Sequence, residues 1–247
     1  MGKRGRGNSG STPPPVGRAI NKAASISKGL VMSCPLTDGG TKCYDYVGGL
    51  VANSPSAIPY KQTSRGLATN TSARFTFSTT TGFPKNVGDS NTSPFTVSLW
   101  LYFPSATYTG YLFGWGTTGA GWYCQIGATG NGNFDYYDGT RFTRITFANN
   151  FTSGKWYHVV CTRDNTNGIY PNIGQKIYIN TVDNTVQFNG GNGTPNSVSL
   201  SGLILGIGAR GASTAVSGNV NNFNMWNRVL TKEEIVKLYT DPYCMYI

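Results

Sequence analysis

The chain has 247 residues, with 20 basic against 10 acidic side chains and a net charge of +10. Glu233 and Glu234 are its only glutamates, which argues against a helix-rich domain with the usual charged surface, and the length suits one large all-β domain with an appendage. No run of about eighteen apolar residues occurs, which excludes a spanning helix. The basic start runs into Gly, Ser, Thr and Pro, so synthesis in a cytoplasm without a secretory signal is the expectation.

Residues 1–28 contain Lys3, Arg4, Arg6, Arg18, Lys22 and Lys28 and no acid, so this stretch carries +6 and the remainder 10 − 6 = +4. Rich in Gly, Ser and Pro, it is too polar to bury a core and is expected to be a disordered arm. Pro13, Pro14 and Pro15 predict a stiff polyproline II spacer between its two basic clusters. The domain proper is expected over residues 29–247.

From Gly29 onward the pattern is that of strands. Candidates lie at residues 30–34 and 72–78, with Asp45 between them in a Gly-rich stretch that ends at Gly49. Phe95, Val97, Leu99, Leu101 and Phe103 alternate with Thr96 and Ser98, the period of a half-buried strand. Residues 110–116, 121–127, 133–137 and 141–147 add four strands in an aromatic region. Trp156–Arg163 puts Tyr157, Val159 and Cys161 on one face, and residues 175–180 do the same with Ile177 and Ile179.

Residues 185–188, 202–208 and 218–226 complete the set. In the last of these Val220 is out of step with Phe223 and Met225, which predicts a β-bulge near Asn221 and Asn222. Thr231 and Glu234 then form a capping box, Leu230 and Ile235 a hydrophobic staple, and Ile235, Leu238 and Tyr239 an apolar stripe on a helix ended by Asp241-Pro242. About a dozen short strands with Gly or Asn turns predict two packed antiparallel sheets, a jelly-roll sandwich with one short C-terminal helix.

Several segments carry a family resemblance: Ser98-Leu-Trp-Leu-Tyr102, Gly154-Lys-Trp-Tyr-His-Val-Val160, Lys176-Ile-Tyr-Ile-Asn180, Leu205-Gly-Ile-Gly208 and Gly218 to Thr231. In this order the chain resembles the laminin-G-like, concanavalin A-type jelly-roll family over residues 30–241. The most specific part is the tryptophan strand that leads through Asn227-Arg-Val-Leu-Thr231 into a capped helix. The ending from Leu238 to Tyr246 is similar to such domains encoded by bacteriophages.

Catalytic chemistry finds few parts. The resemblance implies that hydrolases of this class need a Glu-x-Asp-x-x-Glu strand, which is absent. Glu233 and Glu234 are adjacent on a helix, and Asp135 and Asp138 are three apart near a strand, so neither pair faces one bond from two sides. His158 is the single histidine and reads as a packed strand residue, turned away from Cys161 by their spacing. Gly206-Ile-Gly208-Ala-Arg-Gly211 matches a dinucleotide fingerprint but lacks a βαβ setting and reads as a turn. Five cysteines without a C-x-x-C pair read as buried thiols, and the sequons at Asn70, Asn91, Asn150 and Asn192 as chance.

Three binding features remain. Family resemblance implies a rim calcium, for which Asp45 is the candidate ligand, weakened by Asn221 and Asn222 where acids are frequent. Tyr108, Tyr111, Trp122, Tyr136 and Tyr137 are candidate ligand-binding aromatics beside Asn and Asp oxygens, with core packing as the competing role. Lys3, Arg4, Arg6, Arg18, Lys22 and Lys28 suit docking on an acidic surface better than nonspecific nucleic-acid contact, since no aromatic is interleaved to stack on bases. The expected function is a non-catalytic structural protein of a virion, a capsid decoration or cement protein anchored to capsid partners by its arm and oligomeric on the particle. The alternative is a carbohydrate-binding adhesin on a tail fibre or cell surface.

Overall fold

A computed structural model describes residues 19–36, 42–53, 61–63, 66–68, 75–78, 93–105, 109–117, 120–127, 131–148, 151–164, 174–187, 204–210 and 215–247. The strands run in chain order as β1 (Leu30–Cys34), β2 (Lys42–Tyr44), β3 (Val51–Asn53), β4 (Lys61–Thr63), β5 (Gly66–Ala68), β6 (Phe75–Ser78), β7 (Phe95–Tyr102), β8 (Gly110–Thr117) and β9 (Ala120–Ile126). They continue as β10 (Asn131–Tyr137), β11 (Phe142–Ala148), β12 (Trp156–Arg163), β13 (Gln175–Ile179), β14 (Val182–Asp183), β15 (Val186–Gln187), β16 (Ile204–Ile207) and β17 (Asn219–Trp226). One helix, α1 (Lys232–Thr240), follows β17.

Two antiparallel sheets carry the fold. A minor sheet of six strands has the order β1-β17-β7-β12-β13-β14, and a major sheet of nine has β15-β11-β10-β9-β8-β16-β6-β3-β2. Alternation along each strand aims one set of side chains into the space between them. Phe95, Val97, Leu99, Leu101, Val159, Cys161, Ile177, Phe223 and Met225 from the minor sheet meet Phe75, Phe113, Trp115, Trp122, Phe134, Tyr136, Ile145 and Leu205 from the major one. Phe95 sits at the centre of this layer, edge-on to Trp115 and Trp122 at centroid distances of 5.2 and 4.8 Å. The jelly-roll sandwich read from the sequence is the observed fold.

Three local features follow the sequence closely. The register between β17 and β7 slips between Asn221 and Asn224, with Asn222 at a φ of 49°, which is the bulge anticipated there. Thr231 accepts from the Glu234 N–H while the Glu234 carboxylate accepts from the Thr231 N–H, the reciprocal capping box. Gly206 and Ile207 end β16 and the chain bends over residues 208–210, with Gly208 at a φ of 72°, and the next named element is β17.

The minor sheet departs from expectation in one respect. β7 was expected to be half-buried, yet Thr96, Ser98 and Trp100 on its outward face are at most 5% exposed. Their cover is α1 together with both terminal segments, which pack Ile26, Leu230, Ile235, Leu238, Met245 and Tyr246 around Trp226 and Val160. Tyr239 completes the stripe only by stacking: its ring lies 5.6 Å from that of Trp100 at 12°, with one edge still in solvent.

The boundary at residues 28 and 29 is corrected by the same packing. Ile20 bridges Tyr246, Asn21 N–H donates to the Met245 carbonyl, and Ser25–Ser27 form a 3-10 turn whose Ile26 is fully buried. The indole N–H of Trp226 donates to the Ile26 carbonyl at 2.7 Å. Residues 19–28 therefore belong to the sandwich, because one isoleucine and a few carbonyls suffice to dock a polar stretch. Strands β2 to β5 and β14 were also missed: each is only two or three residues long, too short to show a period.

Candidate functional site

On β9, β10 and β11 the side chains that alternate with the core residues stand on the outer face of the major sheet. Antiparallel pairing lines them up in rows. Gly206, Gly114, Tyr123, Asp135 and Arg144 are successive partners across β16, β8, β9, β10 and β11. Beside them run Tyr111, Gln125, Asn133 and Thr146 on one flank, and Gly116, Gly121, Tyr137 and Phe142 on the other.

The central row is tightly organised. Arg144 donates through Nε to Asp135 Oδ1 and through Nη2 to Oδ2, both at 2.8 Å, a bidentate ion pair. Asp135 is fully buried beneath it and also takes the Tyr123 hydroxyl. Burial pushes the Asp135 carboxyl up while Arg144 and Tyr123 pull it back, and burial together with the Asp135 charge raises the Tyr123 hydroxyl. Arg144 in turn is raised by the carboxylate it grips. The geometry is that of an ionised pair.

Two guanidiniums lie against rings on this face. Arg210 sits 4.1 Å above the Tyr123 centroid, and Arg144 lies 4.9 Å from that of Phe142. Tyr111 meets Tyr123 edge-on at 5.6 Å. Gly114 makes the first of these stacks possible, since a Cβ there would approach Arg210 Cγ at 3.0 Å and Tyr123 Cβ at 3.1 Å. Gly116 and Gly121, with φ of +152° and +132°, face one another so closely that a Cβ on either would strike backbone, leaving bare chain beside Tyr137. Stacked rings and guanidiniums with Gln125 and Asn133 amides alongside can hold a sugar ring by its C–H face while bonding its hydroxyls.

The candidate aromatics divide on this geometry. Tyr111 and Tyr137 stand half-buried on the outer face, where the Tyr137 hydroxyl donates to the Gly139 carbonyl at 2.6 Å. Trp122 and Tyr136 are corrected: both are fully buried in the core, 4.7 Å apart, because they hold the inward positions next to Tyr123 and Tyr137. Tyr108 lies outside the described residues, as do Lys3, Arg4, Arg6 and Arg18. Lys22 and Lys28 are exposed, but on the docked segment rather than a free arm. Tyr123, Arg144 and Arg210 were missed as site residues, although the alternation Tyr123/Gln125, Asn133/Asp135/Tyr137 and Phe142/Arg144/Thr146 carries the signal.

Asp45 does not offer itself to calcium. Its Oδ1 accepts from the Ser33 and Val47 N–H groups at 2.9 and 3.0 Å and its Oδ2 from Gly48 at 2.8 Å, with the residue only 3% exposed. A carboxylate that gathers three N–H donors closes a turn, and calcium needs oxygens instead. Asn221 and Asn222 likewise donate to the Pro35 and Pro242 carbonyls and pin the C-terminal segment. His158 is buried, bonded through Nε2 to Ser98 Oγ at 2.8 Å and stacked on Trp100, so it packs under α1 on the far side from Cys161. Asp138 accepts from the Thr140 and Arg141 N–H groups of its own turn, and Glu234 is held by Arg228 at 2.7 Å.

A two-sheet jelly roll with one capped outer face and one polar, aromatic outer face is a lectin-type sandwich. Residues 69–236 match the laminin G model of the concanavalin A-like lectin/glucanases superfamily, and the chain belongs to that family. No curated protein sequence matches it. Among solved structures it is similar to the binding domain of botulinum neurotoxin serotype D, at 16% identity and a TM-score of 0.63, over 87% of this chain and 52% of that one. The binding domain of botulinum neurotoxin DC, solved with rat synaptotagmin II, aligns at 15% identity and 0.61 over 87% and 52%. Domain 4 of an extracellular arabinanase from Geobacillus stearothermophilus, solved with arabinotriose, aligns at 17% identity and 0.57 over 85% and 98%. The chain spans about half the length of the neurotoxin domains and nearly all of the arabinanase domain.

Proposed function

We propose that this chain is a non-catalytic binding module that holds a saccharide on the outer face of the major sheet. The observation that carries the reading is the row Tyr123, Asp135 and Arg144 with Arg210 stacked on it, a preorganised floor of rings and guanidiniums flanked by amides. Membership of a lectin-type family and the likeness to a domain solved with arabinotriose support it. Asp135, Asp138 and Glu234 are committed to Arg144, a turn and a helix cap, which leaves them poor acid and base candidates. Screening the protein on a glycan array and titrating the retained glycans by calorimetry tests this. Tyr111→Ala and Asn133→Ala are expected to weaken binding about tenfold each, the loss of one stacking or hydrogen-bonding contact. A blank array, or binding that ignores both changes, refutes it.

Decoration of a virion through the basic N-terminal residues is a second reading, favoured by one observation. Lys3, Arg4, Arg6 and Arg18, with no acid among residues 1–18, precede a chain that docks at Ile20 on the outer side of the minor sheet, opposite the candidate site. A capsid partner on that side would leave the saccharide face outward. Mass spectrometry of purified particles carrying the chain with and without residues 1–18 tests it, and equal incorporation refutes a docking role for the segment.

A further inference from the structure

We propose, resting on the saccharide reading, that the ligand is a neutral sugar with two free hydroxyls on adjacent ring carbons, bound by the side-chain amides of Gln125 and Asn133. These residues are register partners on β9 and β10, and Tyr111 on β8 is the next partner of Gln125. Gln125 stands between the core residues Cys124 and Ile126, and Asn133 precedes the core residue Phe134, so both amides project half-buried from the outer face. Among the described residues neither amide has a hydrogen-bond partner.

The central row beside them is committed within the protein. Both Asp135 oxygens accept from Arg144, the Tyr123 hydroxyl also meets Asp135, and Arg210 packs on the Tyr123 ring with its Nε and Nη2 buried. Groups bound to one another in this way brace the face, and hydrogen bonding to a ligand falls to the amide row. Each amide there offers an acceptor oxygen and a donor nitrogen, so each can bond a hydroxyl as either partner. Side chains directly opposite on antiparallel strands lie about 5 Å apart at Cβ, a spacing that hydroxyls on adjacent ring carbons bridge with one amide each. Tyr111, held edge-on to Tyr123 at 5.6 Å, stands where the apolar side of the same sugar ring would lie. A sugar lacking one of the two hydroxyls would strip water from an amide and leave it unbonded. No residue of this row is ionised, so recognition here is insensitive to salt.

Calorimetry on the full chain tests this with four neutral probes, arabinotriose, xylotriose, mannotriose and cellotriose, and one acidic probe, trigalacturonate, followed by the monodeoxy forms of the neutral probe that binds best. Loss of either of two neighbouring hydroxyls is expected to weaken binding about tenfold, and affinity for the parent sugar should stay within about twofold as salt is raised. In Gln125→Ala one of those two deoxy penalties should vanish, and in Asn133→Ala the other, because the amide that met the missing hydroxyl is gone. Binding of trigalacturonate alone, an affinity that collapses with salt, or deoxy penalties that persist in both variants overturns the amide pair and leaves the saccharide reading standing. If none of the five probes binds and the glycan array is blank, the saccharide reading itself fails; an array that retains only acidic glycans overturns the neutral ligand alone.

Discussion

The two outer faces of the sandwich are built from the same alternating strands and are covered in different ways. On the minor sheet Thr96, Ser98, Trp100, His158 and Trp226 point outward and are all sealed beneath α1 and the terminal segments. On the major sheet Asp135 and Tyr123 are buried as well, but beneath Arg144 and Arg210 of the face itself, while Tyr111, Gln125, Asn133, Tyr137 and Arg144 stay half-buried and the helix with residues 19–28 and 241–247 lies on the other side. The polar groups differ accordingly. Those under the cover are short and locked to fixed partners: the Thr96 hydroxyl donates to the Arg228 carbonyl and accepts from Leu230 N–H, and Ser33 pairs with Asn224. Those on the major sheet are long, charged and stacked on rings. A strand face becomes core or site according to what other segments do, and residues 19–28, α1 and residues 241–247 all pack on one face.

Breaking the cover should produce the largest effect. Removing residues 230–247 strips Leu230, Ile235, Leu238 and Met245 from Trp226, a loss on the order of 5 kcal/mol or more, comparable with the stability of a whole domain. The truncated chain is expected to lose its cooperative thermal transition, and a soluble, cooperatively melting product would contradict the capping role. Next in size, deleting residues 1–28 removes buried Ile26 and the acceptor of the Trp226 indole. That costs about 3 kcal/mol and lowers Tm by roughly 6–12 °C, while deleting residues 1–18 leaves Tm unchanged. Equal melting of the two truncations would return the boundary to residue 28.

The cover also imposes a pH dependence. Burial holds the His158 imidazole down to about 3, far under its ordinary value of 6.5, so between these values the unfolded chain binds one more proton than the folded one. Stability is then lost as pH falls from about 6.5 towards 3, with a slope approaching 1.4 kcal/mol per pH unit. Chemical denaturation of wild type and His158→Gln across this window should show a slope difference of that sign, and parallel curves would contradict it. The smallest effect belongs to the face of the major sheet: Gly114→Ala should shift the Arg210 stem by a few tenths of an ångström and weaken saccharide binding several-fold. Its stability change should stay within about 1 kcal/mol in thermal melts.

The fold was legible because its signals are local and repeated. The alternation of Phe95 to Phe103, the capping box at Thr231 and the misphased Val220 each name one element, and all three elements are found, although β7 is buried on both faces rather than one. The terminal docking was not legible, since Ile20 and Ile26 sit alone in a polar stretch, and only contact with Tyr246 and Trp226 shows that Ile20 packs against the core and Ile26 is part of it. Site residues were half legible. Aromatic density pointed to β8 to β11, but preferring Tyr123 and Arg144 to the inward Trp122 and Tyr136 required knowing which side of the sheet was core. Asp45 misled for a related reason: an acid in a Gly-rich loop looks alike whether it awaits a cation or three backbone N–H groups.

The claim that one face is sealed and the other binds is tested most directly by following backbone amide shifts while titrating a saccharide retained on the array. The expected result is a contiguous set of shifts at Tyr111, Gln125, Asn133, Arg144 and Arg210, with Trp226, Leu238 and the rest of the capped face unmoved. Shifts concentrated on α1 and the terminal segments, with β9 to β11 silent, would contradict the account.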